Sequence, residues 1–544
     1  MQVLSMNVLL LYADKYYLIK QVYPFGLDLI ANYLRQYGHT VTLDYPFLPD
    51  KDVETNFAKT LEETDPDVVG IGIRNLDTCM SCEAYGDFQG HDCKTFYFLP
   101  AIKGIVDMLK RIRPKIPVIV GGGAFTISPV AILKYLGLEY GIVGEGEEPF
   151  RQFLEAYPDK GRLSEIPNMV HFKGKFVVNN TQAYRFSRGQ DVKERERKFN
   201  YAYETVGLPV QVKRGCNQNC SYCVEPLIEG RKFVFRPTET IVDELKAVLV
   251  NQRDIRTIFF VDTEFNVPDQ QYPRTLAKKI IGEGLHEYFR FSTQVLPCPF
   301  DADFAKILSE AGFSLILTSD SFADGVLKKN QASYRQEDVV RTLELCEEHG
   351  IDCTVAMIFG LPGETYETID HSIGLMDKYP PGFLRRYEYT IGGRIYQGTP
   401  LCRFIGTMGE EKNLYGKRSE GFVEPCYFCA PESPMKLKEY IQKALPHPMM
   451  YQNRYDETRF GTLALSYLID QRRWEEATSL FKRSTLRVRS SIYEYFFRKS
   501  TDAGRKAVAE AVCVNLLKGI EGSDEIKEYG EQVEVIRYYL SLLR

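Results

Sequence analysis

Short apolar runs alternate with amphipathic stretches twice along this chain, and that alternation limits the possible folds more than any other feature. In the first 150 residues, NVLLLY (7–12), VTLDY (41–45), VVGIGIR (68–74), VIVGGG (118–123) and YGIVGEGEE (140–148) read as buried parallel strands. Between them, YPFGLDLIANYLRQYGH carries Leu27, Ile30, Ala31 and Leu34 at helical spacing with Gly38 as a stop, and further helices are predicted over 53–63, 98–112 and 129–136. This period predicts an α/β, doubly wound, Rossmann-like sheet, which takes ligands beyond the carboxyl ends of its strands. Gly121, Gly122, Gly123, Gly144 and Gly146 fall at those ends. Glycine there lets backbone approach a ligand closely, although a tight strand–helix turn asks for the same residue.

The second alternation begins at PVQVKR (209–214) and continues through TIFFVD (257–262), FRFSTQ (289–294), FSLILTSD (313–320), CTVAMIFG (353–360) and YEYTIGGRI (387–395). Helices are predicted over 238–251, 271–283, 301–311, 335–349 and 365–378. Six such units predict a partial (β/α)6 barrel of the TIM type with its active site at the strand ends. The expected organisation is therefore a Rossmann-like domain over 1–160, a hairpin and charged linker over 161–205, the barrel over 206–400, and a mainly helical domain over 401–544. The linker is RFSRGQDVKERERKF (185–199), a solvated spacer by composition. The last domain is expected to cap the barrel mouth and shape a pocket, or else to serve packing or oligomerisation.

The loop that follows the first barrel strand reads KRGCNQNCSYCVEP, with Cys216, Cys220 and Cys223 as a CxxxCxxC triplet and Tyr222 just before the last thiol. Three thiolates this close can hold three irons of a [4Fe–4S] cube and leave the fourth without a protein ligand, whereas a structural cluster normally takes four cysteines. The alternatives are three reduced thiols, or a zinc site completed from elsewhere, which tends to use CxxC pairs. Bulk properties agree with cluster chemistry. A net charge of −5 and a pI near 6.0 give no electrostatic reason to expect nucleic acid. No run approaches 18 apolar residues, and the opening residues lack a cationic leader, so a cytoplasmic protein without a membrane span is expected. Thirteen cysteines in that compartment point to metal or cluster chemistry rather than disulfides.

The triplet resembles the signature of the radical S-adenosylmethionine (SAM) enzymes. The segments ahead of it (YPFGLDLIANYLRQYGH, VGIGIRN, IVGGGAFTISP, GIVGEGEEPF) look like the cobalamin-binding domain of that family's class B. The resemblance covers roughly residues 1–400 and implies three cofactors: a [4Fe–4S] cluster on Cys216, Cys220 and Cys223, SAM, and cobalamin. The DxHxxG motif of other cobalamin proteins is absent, and His39 and His91 lack its context, so the cobalamin is expected without a histidine ligand. A Rossmann-like domain that binds nothing is the competing reading. By position, Glu264 in DTEFN matches the carboxylate that receives the SAM amino group, or in a rarer arrangement ligates the open iron. Ser319, Asp320 and Ser321 resemble residues on SAM's ribose or carboxylate, with helix capping as their alternative role. Gly360 and Gly363 in FGLPGET resemble the glycine motif along the adenine, and Tyr222 lies beside the cluster. Arg394, in RIYQGTPL, is with Glu264 a catalytic candidate, or else part of a structural ion pair.

What this implies is a methyltransferase that moves a methyl group from SAM through methylcobalamin to an unactivated carbon of a small molecule, by way of a 5′-deoxyadenosyl radical. It would be fed by an electron donor such as flavodoxin or ferredoxin. Cyclisation, ring contraction, rearrangement, polar methylation, and a non-catalytic cobalamin or cluster sensor are the alternatives. Eight further cysteines drew a reading outside the triplet. Cys79, Cys82 and Cys93, with His91 beside them, are expected to form a long reduced loop, to line the crevice or to bind a second metal, with Cys426 and Cys429 as further ligands. Cys298 is expected to be an ordinary buried thiol near the barrel mouth. Cys346 and Cys353 are expected in the core.

Overall fold

The computed structural model describes residues 5–13, 23–47, 53–83, 86–182, 207–252, 255–408, 410–445, 452–453, 472–523 and 529–543, with the single positions 462, 465, 468 and 469. The charged stretch 185–199 lies outside the described residues.

The first unit is built on β1 (Asn7–Tyr12), β2 (Thr40–Asp44) and β3 (Val68–Gly72), followed by a small hairpin, β4 (Phe88–Gly90) and β5 (Cys93–Thr95). It continues with β6 (Val118–Gly121), β7 (Tyr140–Ile142), β8 (Met169–Lys173) and β9 (Lys175–Val178). The main sheet runs β2-β1-β3-β6-β7-β8-β9, with its first five strands parallel and the last two antiparallel. The hairpin expected in the linker is thus the edge of this sheet, because Tyr140 pairs with His171, and the first unit extends to Val178. Alternation along β1 explains why every residue of NVLLLY after Asn7 is buried. Leu9 and Leu11 pack with Phe57, Leu61, Ile102 and Leu109 on one face, while Val8 and Leu10 pack with Leu27, Ala31 and Leu34 on the other. Strand order reverses at β1, so the crevice of this open sheet falls between β1 and β3.

The second unit opens with β10 (Leu208–Val210). A short antiparallel ladder of β11 (Lys213–Arg214) and β12 (Val234–Phe235) brackets the cysteine loop. Then come β13 (Thr257–Phe260), β14 (Arg290–Val295), β15 (Phe313–Asp320), β16 (Cys353–Phe359) and β17 (Arg385–Ile391), all parallel, each joined to the next through helix. Along these strands one set of residues is buried under the surrounding helices, including Phe291, Val295, Leu315, Leu317, Val355 and Met357. The alternate set, Ser292, Gln294, Ile316, Thr354 and Ala356, is only half-buried and faces the lumen. A TIM-type lumen is ordinarily filled by bulky branched side chains. Here small and polar ones leave it open.

After the barrel, β18 (Gly393–Arg394), β19 (Leu414–Gly416) and β20 (Cys426–Phe428) form a three-stranded sheet in the order β18-β20-β19, and β21 (Gln452–Asn453) adds to β17. The segment to Ala444 is bound into the main core through Tyr427, Cys429, Leu437 and Ile441. The helices Trp474–Arg483, Leu486–Asp502, Lys506–Glu521 and Gly530–Leu543 have their own core of Trp474, Phe481, Phe496, Val512, Leu516 and Ile536. Trp474 stacks on Phe496 with ring centroids 6.4 Å apart. The expected single C-terminal domain therefore has two cores: the segment to Ala444 lies in the barrel's core and the four helices in their own, with Leu468 packed against both.

Candidate active site

Gly215 begins the cysteine loop at φ +99°, where a Cβ would stand 2.3 Å from the Lys232 carbonyl oxygen, so no other residue fits the turn. The loop is pinned along its length. Gly215 donates its N–H to Glu229 Oε2 at 3.0 Å, and Cys216 donates to the Gly230 carbonyl at 3.0 Å. Ser221 donates its N–H to the Asn330 carbonyl and its hydroxyl to Asn330 Oδ1, while its own carbonyl accepts from Leu401 N–H at 2.8 Å. Burial raises the pKa of all three thiols, and each of Cys220 and Cys223 is raised further by its neighbours in the triplet.

Glu264 lies next to this loop, 9% exposed. Its Oε1 accepts from the Thr318 hydroxyl at 2.8 Å, its backbone carbonyl accepts from Lys213 Nζ at 2.7 Å, and its Oε2 has no partner. Burial pushes its carboxyl up to about 8. Asp262, two residues earlier, accepts from Val212 and Lys213 N–H through Oδ1 and leaves Oδ2 unpartnered at 2% exposure. Sequence reasoning passed over Asp262, since a carboxylate at a strand end carries no motif of its own.

A cavity of about 1040 Å³ runs from the first sheet into the barrel, beyond the roughly 300–1,000 Å³ of ordinary small-molecule pockets. Its first-sheet wall is Leu10, Tyr12, Gly72 and the five glycines expected there, Gly121, Gly122, Gly123, Gly144 and Gly146. Gly122, at φ +104°, would place a Cβ 2.4 Å from the Ile73 carbonyl oxygen. Its barrel wall includes Gln211, Phe259, Asp262, Ser292, Gln294, Ile316 and Glu388, and Val224, Glu225 and Ile228 bring in the inner side of the cysteine loop. Arg214, one residue before that loop, reaches Glu147 at 2.7 Å and Glu145 at 3.1 Å in the GEGEE turn. This buried pairing clamps the two units together across the cavity; the GEGEE segment drew attention for its glycines, and the glutamates went unnoticed.

Other predicted site residues take different places. Both oxygens of Asp320 are engaged, Oδ1 by Tyr222 at 2.5 Å and Oδ2 by Tyr334 at 3.0 Å, so Asp320 holds Tyr222 rather than facing a ligand. Ser319 is fully buried with its hydroxyl unpartnered, and Ser321 accepts from Ala323 N–H in a local turn before the next helix, whose N-cap is Ala323, so the expected capping is not formed by these serines. Gly360 and Gly363 do not reach the cavity. A Cβ on Gly360 would meet Cys429 Sγ at 2.7 Å, and one on Gly363 would meet Lys329 at 3.3 Å, so the close approach they allow is to protein. Arg394 takes up the ion-pair alternative and does not line the cavity. Its Nε donates to Asp77 Oδ2 at 2.7 Å, its other nitrogens donate to the carbonyls of Ile395, Phe422 and Glu424, and its guanidinium covers the Tyr396 ring at 4.8 Å.

Cys79 does line the cavity, with its thiol 3.0 Å from the Tyr396 hydroxyl. Cys93 begins β5 of the small hairpin and Cys82 bridges to Lys94 beside it, and both are buried in the core. Cys426 and Cys429 lie three residues apart across an extended strand, which turns them to opposite faces: Cys426 packs with Ile395 and Leu401, Cys429 with Tyr427 and Leu437. Among the described residues no three His, Cys, Asp or Glu side chains converge as ligands of a single ion. A four-iron cube is bound at three separate corners rather than at one point, so the triplet is a different case.

Residues 210–376 match the family model of the radical SAM superfamily, and residues 93–154 match the B12 binding domain. The chain is 24% identical over 420 residues to a tryptophan 2-C-methyltransferase of Streptomyces laurentii, a match covering 65% of this chain and 67% of that protein. Its fold is similar to that of the radical SAM methyltransferase TsrM from Kitasatospora setae, solved with cobalamin and a [4Fe–4S] cluster, with a TM-score of 0.70 at 22% identity over 85% of this chain and 96% of that one. It is also similar to the cobalamin-dependent SAM radical enzyme OxsB with aqua-cobalamin bound, with a TM-score of 0.65 at 14% identity over 99% and 84% of the two chains.

The residues present fit these groups. The glycine wall of the first sheet offers a flat, backbone-lined surface for a corrinoid, and the pinned triplet offers three thiols. The unpartnered oxygen of Glu264 beside it suits the ammonium of SAM or the open iron. With both domain matches resting on these same residues, the chain belongs to the cobalamin-dependent radical SAM enzymes.

Proposed function

We propose that this enzyme is a C-methyltransferase acting on a small molecule. The observation that carries the reading is one cavity that joins the glycine wall, the segment directly after the cysteine triplet (Val224, Glu225 and Ile228) and the open barrel lumen. When bound, the cluster and SAM supply one-electron cleavage chemistry and the corrinoid supplies a cobalt able to carry a methyl group.

The chain's own residues hold, orient and shield. Cys216, Cys220 and Cys223 would hold the cluster, and the hydrogen bonds from Gly215, Cys216 and Ser221 to neighbouring segments keep that loop in place. Glu264 would take the SAM ammonium, since an ionised carboxylate oxygen left alone at this burial is costly and a cation relieves it. Gly121 to Gly123, Gly144 and Gly146 would carry the corrinoid. Ser292, Gln294 and Glu388 offer polar contacts in the lumen, and Phe259, Val261 and Ile316 an apolar surface, which together suit a compact substrate with both kinds of group. The clamp of Arg214 on Glu145 and Glu147 ties the GEGEE turn of the first unit to the start of the cysteine loop, which would hold corrinoid and cluster sites in register. Methyl transfer as the outcome is supported by the methyltransferases among the relatives. Electrons would come from an external one-electron carrier. Among the described residues no helix is long and apolar enough to cross a membrane.

Anaerobic purification with cobalamin tests the proposal. The expected result is one corrinoid and one cluster per chain by optical spectrum and iron content, with SAM consumed on reduction. Formation of 5′-deoxyadenosine by enzyme that retains no corrinoid would contradict it.

A further inference from the structure

The barrel's share of the cavity wall carries charge of one sign. Asp262, just beyond β13, and Glu388, on β17, both line it, and among the described residues no Lys, Arg or His of the barrel strands does. The rest of that wall is neutral, with Ser292 and Gln294 polar and Phe259, Val261 and Ile316 apolar. Both arginines of the cavity belong to the opposite side. Arg214 is paired with Glu145 and Glu147. Arg74, two residues beyond β3, acts on Glu225: burial raises that carboxyl's pKa, and Arg74 opposes the rise.

Asp262 is the deeply buried member of this wall. Its Oδ1 is filled by the N–H groups of Val212 and Lys213 at 3.1 and 2.8 Å, while Oδ2 has no partner in a residue only 2% exposed. The cations that act on it, Lys213 and Arg236, are engaged elsewhere: Lys213 Nζ with the Glu264 carbonyl, and Arg236 with Glu244 and the Gln211 carbonyl. A carboxylate oxygen left unpaired out of water is costly, and a cationic donor that arrives with a ligand removes the cost. We propose that the lumen takes a substrate bearing a protonated amine, held by Asp262, and an apolar body laid against Phe259, Val261 and Ile316. A carboxylate or phosphate in the same place would face Asp262 and Glu388 with no basic side chain of the described lumen wall to offset them, so the wall selects against anions as well as for cations. The inference rests on the methyltransferase reading of this cavity and names the class of its substrate.

The test uses reconstituted holoenzyme with saturating SAM and no reductant, so that Glu264 is already engaged. Three probes share one body and differ in charge: phenethylamine, phenethyl alcohol and phenylacetate. Their Kd values are measured by ligand-observed magnetic resonance. The amine is expected to bind about tenfold or more tightly than either of the others. Asp262→Asn keeps an oxygen for the Val212 and Lys213 N–H groups and removes the charge. With melting curve and cofactor content unchanged, it should weaken the amine about tenfold and leave the alcohol within about twofold of the parent. Equal affinity for the three probes, tighter binding of phenylacetate, or a loss shared equally by amine and alcohol in the variant would overturn the assignment, and the parent's ranking decides even where the variant does not fold. A product assay separates this from the reading beneath it. Preferential methylation of carboxylic acids would strike the substrate class alone, whereas an enzyme that ranks the amine first and methylates nothing would keep the amine site and lose the methyltransferase.

Discussion

Arg394 and Asp77 meet at 3% and 0% side-chain exposure, and each is the other's only counter-charge at that depth among the described residues. Removing one partner strands the other. Arg394→Met should therefore cost about 3–5 kcal/mol in a urea titration followed by circular dichroism, and adding Asp77→Asn should restore part of that loss. Glu364 gives a prediction in pH. Its oxygens accept from the Gly360 N–H and the Thr368 hydroxyl, and burial raises its pKa from 4.5 to about 7. Between those values the folded chain keeps a proton that the unfolded chain has released. Stability is therefore greatest below pH 4.5 and declines as pH rises to about 7, by ~3 kcal/mol at most. Glu364→Gln removes that decline. It should raise the melting temperature relative to the parent at pH 8 and leave it level near pH 4.5, and a gap that does not grow with pH would refute the assignment. For Arg394 a structural ion pair was one of the two readings the sequence offered, but neither its partner nor the partners of Glu364 were legible beforehand. Arg394 and Glu364 stand in motif-like stretches, but their partners, Asp77 and the Gly360 backbone, are defined only by the folded chain.

The strand-and-helix pattern was far more legible, because alternation is local. The parallel strands β1, β2, β3, β6 and β7 of the first sheet and β10 and β13 to β17 of the second were visible as short strand-like runs, and the glycines at the ends of the first sheet do line the cavity. What escaped were pairings between distant segments: the hairpin β8–β9 joining the first sheet, the FGLPGET glycines packing on the segment after the barrel, and the Arg214 clamp. Gly121 separates folding from binding at this scale. A Cβ there would find only the Ile142 carbonyl oxygen, at 3.6 Å, so a branched side chain fits the strand but projects into the cavity. Gly121→Val should fold with a stability within about 1 kcal/mol of the parent and lose bound corrinoid, read from the visible spectrum after reconstitution. Retention of corrinoid by this variant would remove the glycine wall from its proposed role.

At the scale of the whole molecule, the first sheet, the barrel and the segment to Ala444 share one continuous apolar core, whereas helices 474–543 close around another. The expected cap over the barrel mouth is thus not formed by those helices, and none of their described residues lines the cavity. The chain holds a single tryptophan, Trp474, and it stands in that separate bundle against Phe496. Indole fluorescence will therefore report the melting of the four terminal helices and little else. We expect the emission midpoint in denaturant to fall apart from the midpoint followed by cofactor absorbance, and coincident midpoints would show that the two cores unfold as one. The stacking of one indole on one phenyl ring makes this enzyme's natural optical probe blind to the chemistry going on elsewhere in it.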